Sequence, residues 1–344
     1  MKVSIIGATG YTGAELVRLI AGHPEAEIVH ITSESYTDQR ISEVYPHLAG
    51  LCEKRLESLE ELEYIGADSD FIFIALPAGH AMEIGRKLAD QPVRIIDLGA
   101  DYRFRDTAVY EAWYKVKHTH TEAQCVYGLS ELYREAIRSA SIIANAGCYT
   151  TAGILALAPL VKERLIDLKS IVIDAASGVS GAGRAAKLPN QFAEMYDNFK
   201  AYGVASHRHT PEIEQALSEL AGETVTLNFT PHLAPMVRGI LATAYATLHE
   251  EVTEAAVDEA FFKLYGEEFF VRLRGRGAYP ETKSVRGSNF CDLGWHIDER
   301  THRVIVLSAL DNLGKGAAGQ AVQNFNIACG FDERSGLLTA PFYP

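Results

Sequence analysis

The sequence lacks long apolar runs, and this absence excludes several classes of protein. No segment approaches the roughly 20 continuous apolar residues that a transmembrane helix requires. The apolar start of the chain is short and ends at a glycine turn, unlike a signal peptide. Internal repeats, low-complexity segments and long linkers are also missing. Because 47% of the residues are hydrophobic and 22% are charged, we expect an ordinary globular protein with no membrane partner.

Positive charge is also scarce. Lys and Arg number 32 against 45 Asp and Glu, which gives a net charge of −13. This balance argues against nucleic acid and anionic membranes as partners, since both favour a basic surface. We therefore expect a small-molecule substrate, and an anionic substrate would have to be bound by a few local arginines.

Cysteines are few and scattered. The chain has five, at positions 52, 125, 148, 291 and 329, and no two of them have C-x-x-C spacing. An odd number of widely spaced cysteines fits reduced thiols in the cytoplasm better than a disulfide framework or a structural zinc site. We expect a cytoplasmic protein without a bound metal.

The first half of the chain alternates short apolar runs with helical patterns. Strands are predicted over residues 3–6, 27–32, 71–76, 94–98 and 141–144, and a helix is predicted over residues 12–21. Strands that alternate with helices indicate an α/β domain with a parallel, doubly wound sheet.

The second half has a different pattern. Residues 238–248 alternate, with Ile240, Ala242 and every second residue on one face, and residues 291–297 and 303–310 flank the turn sequence DERT. A strand over 171–175 and helices over 254–264 and 315–329 complete this α+β half. We expect a mixed, largely antiparallel sheet covered on one side. The predicted domains are residues 1–147, joined by a C-terminal helical segment at 313–344, and residues 148–312.

A glycine turn follows the first predicted strand. Gly7, Gly10 and Gly13 form G-x-x-G-x-x-G and open the first helix. Such glycines let the backbone approach a pyrophosphate, and the helix N-terminus offers N–H groups to the phosphates. The pattern predicts a dinucleotide site, with a purely structural turn as the alternative. The residues assigned to it are Gly7, Thr9, Gly10, Tyr11, Thr12 and Gly13.

The end of the second predicted strand contains opposing signals for the choice of cofactor. An acid such as Glu34 typically holds the ribose 2′-hydroxyl of NAD, whereas an arginine suits the 2′-phosphate of NADP. Arg40, Ser33 and Ser35 could bind that phosphate, so NAD and NADP both remain open here. The alternative for Glu34 is a solvated loop residue without a role in cofactor choice.

Cys148 lies in the sequence NAGCYTT, between a predicted strand and an apolar helix. A cysteine at a helix N-terminus is exposed to the helix dipole, which favours the thiolate. Cys291 and Cys329 lie in apolar segments and fit the role of buried core residues. We therefore interpret Cys148 as a nucleophile.

Two histidines and several arginines are candidates for the remaining chemistry. His207 and His209 precede a helix that begins HTPE, and the absence of a nearby ligand cluster favours acid–base chemistry over zinc binding. Simple surface capping is the alternative. Arg103, Arg184 and Arg238 lie in glycine-rich or polar loops and are candidate anion ligands, with surface ion pairs as the alternative.

Several motifs together resemble the N-acetyl-gamma-glutamyl-phosphate reductase family. They are GATGYTGAELVRL, YPHL, DLGADYRF, NAGCYTT, SGVSGAGR, HRHTPEIEQ and NLGKGAAGQAVQNFN, and they span nearly the entire chain. The resemblance implies a Rossmann domain, a catalytic and dimerisation domain, a cytoplasmic homotetramer and NADPH as cofactor. Glu34 departs from the arginine that relatives often have near that position, so NAD is possible.

The resemblance also implies a reaction and a set of site residues. Cys148 would attack an acyl phosphate, the resulting thioester would be reduced, and His207 or His209 would transfer the proton. Arg103, Asn145 and Arg184 are assigned to the substrate, and Ser177, Gly178 and Asn312 to the cofactor. Two alternatives are a reductase of carrier-protein-bound aminoadipyl phosphate, which shares most motifs, and a dinucleotide-binding redox sensor without turnover.

Overall fold

A computed structural model describes residues 1–343 of the chain. It divides into two compact units, each with its own sheet. Unit 1 comprises Met1–Ala146 and Ala317–Leu338, and unit 2 comprises Gly147–Gly316 with the segment from Thr339 onward. Within residues 1–343, no helix is long and apolar enough to cross a membrane.

Unit 1 contains a six-stranded sheet whose strands all run parallel. The strands are β1 (Lys2–Ile6), β2 (Glu27–Thr32), β3 (Phe71–Ile74), β4 (Arg94–Asp97), β5 (Cys125–Gly128) and β6 (Ile142–Asn145). The helices are α1 (Tyr11–Ala21), α2 (Ile41–Val44), α3 (Leu62–Ala67), α4 (Ala81–Lys87), α5 (Thr107–Tyr114) and α6 (Ser130–Ser139). The predicted doubly wound α/β architecture is confirmed.

The strand order β2-β1-β3-β4-β6-β5 places the glycine turn at the point where the direction of winding reverses. From β1 the chain passes first to β2 on one side and later to β3 on the other. In open parallel sheets, ligands bind at the carboxyl ends of strands beside this crevice. The loop after β1 therefore starts at the expected ligand-binding edge.

Unit 2 contains a seven-stranded mixed sheet of order β11-β12-β13-β10-β7-β9-β8. The strands are β7 (Val172–Ser177), β8 (Lys200–Ala201), β9 (Asn228–Leu233), β10 (Ile240–Thr247), β11 (Val271–Arg276), β12 (Cys291–Asp298) and β13 (Arg303–Leu310). The helices are α7 (Cys148–Lys162), α8 (Phe192–Met195), α9 (Thr210–Ala221) and α10 (Glu254–Tyr265). The pairs β11–β12 and β7–β9 are parallel and the others antiparallel, so the sheet is largely antiparallel, as predicted.

Helix α7 forms the centre of the unit 2 core. From Tyr149 to Val161 each of its residues is buried, which explains a sequence that is apolar on all sides. It packs against α9, α10 and strands β10 and β13. The predicted alternation of β10 is confirmed, because Ile240, Ala242, Ala244 and Ala246 are buried while the residues between them are half-buried. The same core therefore fixes the position of the helix end that carries Cys148.

The last helix starts later than predicted. A π-helical turn covers Gly314–Ala318, and the α-helix α11 covers Gly319–Cys329 rather than beginning at residue 315. The turn contains Gly316, whose main chain approaches another segment closely, as described below. Helix α11 belongs to unit 1 and packs against α1 and α6.

Candidate active site

The three glycines of the turn in unit 1 have different physical roles. Gly7 has a φ of +83°, and a Cβ atom there would lie 2.6 Å from the carbonyl oxygen of Ala75. A Cβ at Gly13 would lie 2.2 Å from the carbonyl oxygen of Gly7, so any side chain would displace the turn from the helix. At Gly10 the nearest atom to such a Cβ is 3.6 Å away, which leaves space over the turn.

The N-terminus of α1 fits a bound phosphate. Gly10 is its N-cap in extended conformation and supplies no side-chain hydrogen bond, and residues 11–14 include no acid. The first N–H groups of a helix need acceptors and carry partial positive charge. A dinucleotide phosphate matches both requirements, so the residues present fit the cofactor that the sequence predicts.

Residues at the end of β2 pack directly on the glycine turn. The backbone N–H of Ala8 donates to the carbonyl oxygen of Thr32 at 3.0 Å, and the hydroxyls of Thr9 and Ser33 lie 2.7 Å apart. Ser33 is buried, and this bond gives its hydroxyl a partner within the protein. Its assignment to the cofactor remains a prediction. Ser35 is exposed, and its assignment to the cofactor also remains a prediction.

Glu34 and Arg40 differ in the protein groups that their side chains contact. Glu34 accepts a hydrogen bond from the backbone N–H of Leu59 at 3.1 Å through its Oε1. Arg40 precedes α2 with an exposed side chain, and its Nη1 lies 3.9 Å from Glu53 Oε2. The carboxylate that would favour NAD is therefore bound to the main chain.

Arg103 and Asn145, both predicted substrate ligands, have internal partners in unit 1. The buried Arg103 donates from Nε to the carbonyl oxygen of Asn145 at 2.8 Å and from Nη2 to that of Leu98 at 3.0 Å. The amide of Asn145 donates to the Ala317 carbonyl at 3.1 Å and accepts from Asn324 at 3.0 Å. These bonds fasten the carboxyl ends of β4 and β6, and substrate binding by either residue stays a prediction.

In unit 2, Cys148 is the first residue of α7. Gly147 is the N-cap in extended conformation, and the hydroxyl of Thr151 donates to its carbonyl oxygen at 2.9 Å. A Cβ at Gly316 would lie 2.8 Å from Cys148 Cβ, so the main chain of the π-helical turn lies against the cysteine. The half-buried thiol thus occupies the helix N-terminus that the sequence predicts.

Glu212 was missed as a functional residue because an acid in the first turn of a helix is ordinarily a cap. It is fully buried, and its Oε1 accepts from the backbone N–H of Gly147 at 2.9 Å and lies 2.9 Å from the hydroxyl of Thr150. The start of α9 therefore holds the start of α7. The one signal in the sequence for this contact between the two helix starts is HTPE, which places Glu212 three residues after His209.

His207 is surrounded by aromatic rings. Its ring centroid lies 5.5 Å from Tyr149, 5.4 Å from both Tyr202 and Phe229, and 4.8 Å from His209. Its Nδ1 accepts from the backbone N–H of His209 at 3.1 Å, which places the proton of the neutral ring on Nε2. Burial, with a smaller effect of the neighbouring Arg208, lowers the pKa of His207 to about 4.

Tyr149 and Tyr202 extend this cluster by a chain of hydroxyls. Tyr202 donates to the Tyr149 hydroxyl at 3.2 Å, and Tyr149 donates to the carbonyl oxygen of His232 at 3.0 Å. Burial raises the pKa of Tyr202 to about 12 and that of Tyr149 further, so both stay protonated. The residue after the nucleophile therefore packs against both predicted histidines.

The predicted cofactor ligands of unit 2 hold two loops together. Gly178 donates its N–H to the Gly239 carbonyl at 2.9 Å, and Asn312 accepts from the Gly239 N–H at 2.8 Å. Asn312 also donates to the Ser180 hydroxyl at 2.9 Å, and the buried Ser177 donates to the Gly178 carbonyl at 3.0 Å. Their assignment to the cofactor remains a prediction.

Charged residues near these loops are partnered. Arg238 pairs with the fully buried Asp311 at 3.0 Å, while Arg184 is half-buried in the loop after β7 and has protein partners. Among residues 1–343, no group of three His, Cys, Asp or Glu side chains is arranged to hold a metal ion.

Comparison with known proteins defines the class. The model of the semialdehyde dehydrogenase NAD binding domain matches residues 2–140, and that of the semialdehyde dehydrogenase dimerisation domain matches residues 148–312. An aspartate semialdehyde dehydrogenase II from Vibrio cholerae has a TM-score of 0.73 at 16% identity, covering 96% of this chain and 98% of that one. The corresponding enzyme from Candida albicans, solved with NADP, has a TM-score of 0.69 at 15% identity, covering 95% and 97%. The chain therefore has both semialdehyde dehydrogenase domains and shares the fold of these two structures.

More similar relatives define the family. A protein from Pelotomaculum thermopropionicum named N-acetyl-gamma-glutamyl-phosphate reductase is 54% identical over 346 residues, covering 100% of this chain and 99% of the relative. One from Moorella thermoacetica with the same name is 52% identical over 339 residues, covering 98% of each. The chain belongs to the N-acetyl-gamma-glutamyl-phosphate reductase family, as its motifs predicted. The shared name does not favour the carrier-bound or redox-sensor alternatives.

Proposed function

We propose that this chain reduces N-acetyl-L-glutamyl 5-phosphate to N-acetyl-L-glutamate 5-semialdehyde and phosphate, with NADPH as the reductant, in arginine biosynthesis. The observation that carries the proposal is that Cys148 begins a buried helix whose first turn is held by Glu212. The relatives are named N-acetyl-gamma-glutamyl-phosphate reductase, and from this name we take an acyl phosphate as the substrate.

Cys148 performs the covalent step. Its sulfur attacks the acyl carbon, the bond from that carbon to the phosphate oxygen breaks, and phosphate leaves with the electron pair. The product is a thioester on Cys148. The N-terminus of α7 favours negative charge on the sulfur before attack and as the thiolate is released at the end.

The glycine turn and the N-terminus of α1 would hold the dinucleotide pyrophosphate through Gly7, Gly10 and Gly13. When bound, the cofactor supplies the hydride that reduces the thioester carbon to a hemithioacetal. The assignment to NADP is supported by the family resemblance, and the hydrogen bond from Leu59 N–H fixes one oxygen of the Glu34 carboxylate without removing its charge.

His209 is the better acid–base residue of the two. In the neutral His207 ring, Nδ1 accepts from the backbone and Nε2 carries the proton, so neither nitrogen is ready to take another. His209 would protonate the oxygen of the hemithioacetal as it forms and recover that proton as the carbon–sulfur bond breaks. His207 then positions the first residues before α9.

Arg184 is the stronger candidate for the anionic groups of the substrate. Arg103 is buried and donates to two carbonyl groups, whereas Arg184 is half-buried in a loop that follows a strand. A guanidinium can bind a phosphate or a carboxylate through two parallel hydrogen bonds.

The reverse reaction provides the most direct test. N-acetylglutamate 5-semialdehyde should support NADP⁺ reduction only when phosphate is added, because phosphate must cleave the thioester. A rate that is unchanged without phosphate would indicate a hydrolytic aldehyde dehydrogenase and contradict the proposal. Inactivity with this aldehyde but turnover of carrier-bound aminoadipate semialdehyde would contradict the substrate assignment.

The histidine assignment needs a separate test by pH profile. His209→Gln should lower kcat by about 10² to 10⁴-fold and remove one limb of the pH profile. The matched variant His207→Gln should retain that limb. The opposite pattern would transfer the acid–base role to His207.

We further propose a cytoplasmic homotetramer. Its support is the dimerisation-domain match and the exposed apolar side chains of unit 2, among them Phe192, Tyr196 and Val237. Light scattering on the purified protein should give four times the 37.7 kDa chain mass. A dimer mass at micromolar concentration would contradict the tetramer.

A further inference from the structure

Asp311 is a fully buried carboxylate that accepts hydrogen bonds from three separate parts of unit 2. Its Oδ1 accepts from the backbone N–H groups of Leu313 at 2.9 Å and Gly314 at 3.1 Å, in the turn that follows β13. Its Oδ2 accepts from the N–H of Gly287 at 2.6 Å, and Arg238 Nε lies 3.0 Å from the same oxygen. Because a buried charge is tolerated only where it is paired and hydrogen-bonded, these contacts fix the loops before β10 and β12 to the turn after β13.

The turn that Asp311 holds is the one that borders Cys148. The carbonyl oxygen of Asp311 accepts from the N–H of Gly316 at 2.9 Å, five residues later, which is the hydrogen-bond spacing of a π-helix. A Cβ at Gly316 would lie 3.2 Å from that carbonyl oxygen and 3.2 Å from Cys148 Cα. At Gly314 a Cβ would lie 2.3 Å from the carbonyl oxygen of Ser288. The main chain at both glycines is therefore in close contact with its neighbours, and neither residue has a side chain to hold it there.

We infer that Asp311 is a positioning residue for the nucleophile, because it holds residues 313–316 against Cys148 and so limits the movement and the exposure of the sulfur. The inference rests on the proposed function, in which this sulfur attacks the acyl carbon. Two of these four residues are glycines, which have little conformational preference of their own, so the hydrogen bonds to Asp311 must fix the turn. A displacement of about 1 Å between reacting groups can cost about 10²-fold in rate, so a fixed sulfur contributes to turnover.

Arg238 contributes through Asp311. Its sequence context also makes it a candidate anion ligand, and in the structure its Nε lies 3.1 Å from Oδ1 and 3.0 Å from Oδ2 of the Asp311 carboxylate. Hydrogen bonds between a guanidinium and a carboxylate are charge-assisted and stronger than those between neutral groups. The arginine therefore holds the carboxylate in the position from which it accepts from the turn.

Asp292 in the same sheet provides a matched comparison. It is also fully buried and paired with an arginine, since Arg272 Nη2 donates to its Oδ2 at 3.0 Å. This partner lies on the edge strand β11, not in the turn after β13. Removing either carboxylate leaves an arginine without its buried partner, so both changes should destabilise the fold. The two aspartates therefore separate the loss of a buried ion pair from the loss of the turn that borders Cys148.

Alkylation of the full chain by iodoacetamide at pH 7, with mass spectrometry of each cysteine, tests the inference without substrate. Asp311→Asn keeps the side-chain size but turns one oxygen into a donor, which repels the N–H groups that face it. Labelling of Cys148 should become faster by about five-fold or more, because the thiol is uncovered, with the buried Cys52 and Cys291 still unlabelled. The kcat of phosphate-dependent NADP⁺ reduction should fall about 10- to 100-fold. Asp292→Asn should change both rates by less than about two-fold, because residues without shared partners act independently.

Three results would overturn the inference alone. The first is a folded Asp311→Asn variant in which Cys148 is labelled at the wild-type rate. The second is labelling of the two buried cysteines at the same increased rate as Cys148, because Asp311 would then support the fold as a whole. The third is the same pair of changes in Asp292→Asn, which would make the effect a general one of buried aspartates.

Two further outcomes have a defined meaning. If Asp311→Asn does not fold, Arg238→Gln removes the guanidinium partner and keeps the carboxylate, and it should raise the labelling rate of Cys148 in the same direction. An unchanged rate in that variant would overturn the inference. A wild type that remains active after Cys148 is alkylated would contradict the proposed function, and the inference with it.

Discussion

The starts of α1 and α7 have the same local geometry and different chemistry. Gly10 and Gly147 are both N-caps, with φ and ψ of −72° and 163° in one and −70° and 159° in the other. Neither cap residue has a side chain, and each helix follows a parallel strand. The first residue of α1 is Tyr11, whereas the first residue of α7 is Cys148.

The difference lies in the source of the negative charge. The first turn of α1 contains no acid, so its N–H groups suit an anion from outside the chain. The start of α7 already has a carboxylate, because Glu212 accepts from the N–H of Gly147 and lies in hydrogen-bond distance of Thr150. One helix end is thus suited to a ligand, and the other is fixed by the protein and presents a thiol.

Among the substitutions at the two helix starts, replacement of Cys148 should cause the largest loss of activity. Cys148→Ser should lower kcat by about 10³-fold or more, because serine without a dedicated base is a poor nucleophile at neutral pH. Nucleotide binding to unit 1 should stay within two-fold of wild type. Steady-state rates and calorimetric titration on the same preparation measure both.

Cys329→Ser is the matched control for Cys148. Burial raises the pKa of Cys329 to about 12, so this thiol should neither react with iodoacetamide at neutral pH nor contribute to turnover. Substantial activity in Cys148→Ser, or inactivation that follows labelling of another cysteine, would contradict the nucleophile assignment.

Two alanine substitutions should distinguish the steric role of Gly13 from the ligand-binding role of Gly10 at the start of α1. Gly13→Ala should lower the free energy of unfolding by about 2–4 kcal/mol, because its Cβ would overlap the Gly7 carbonyl. Gly10→Ala should cost less than about 1 kcal/mol but weaken binding of NADPH about ten-fold. Urea denaturation and calorimetry distinguish the two effects. Equal stability of both variants would contradict the steric argument.

Substitutions of Glu212 test whether the start of α7 is stabilised by the negative charge of the carboxylate or by an oxygen atom that accepts a hydrogen bond. Glu212→Ala should lower the free energy of unfolding by about 2 kcal/mol, since the Gly147 N–H loses its buried partner. Glu212→Gln keeps an oxygen acceptor and should cost about half as much. The exposed Glu223→Gln removes the same charge and serves as control. Equal losses in the Ala and Gln variants would indicate that the carboxylate charge itself stabilises this helix start.

The smallest expected effect concerns stability at low pH. The pKa of His207 is about 4 in the folded protein and about 6.5 when unfolded, so between these values the unfolded chain binds more protons. Folding stability should therefore fall as pH decreases from 7 to 5, by about 1–2 kcal/mol from this residue. His207→Phe should reduce that fall, measured by urea denaturation at both pH values. An unchanged pH dependence would show that His207 is not the titrating group.

Sequence predicted the elements whose pattern is strong and local. The apolar strands of unit 1, the alternation of β10 and the helix after His209 all appear where expected. Four strands were missed, namely β5, β8, β9 and β11. β5 has only four residues and β8 only two, β9 contains Pro231, and β11 contains three arginines and a glycine bulge between Leu273 and Gly275. Their partners, which are distant in sequence, stabilise them against their own propensities.

The candidate site was predictable in its residue types and less so in its contacts. NAGCYTT identified a cysteine at a helix start because capping and the helix dipole act locally. The bond from Gly147 to Glu212 joins residues 65 positions apart, and no periodicity encodes it. Arg103 illustrates the same limit, since its hydrogen bonds to two backbone carbonyls have no signal in the sequence, and its role as an anion ligand stays a prediction.

The close approach of Gly316 to Cys148 has a consequence for protein engineering. On that side the thiol is bordered by main chain, and a side chain at position 316 would collide with the cysteine. Substrate range therefore cannot be altered by enlarging residue 316, and library designs should hold it fixed. Variation is better directed to the exposed residues 204–206, where added bulk meets solvent rather than the reactive sulfur.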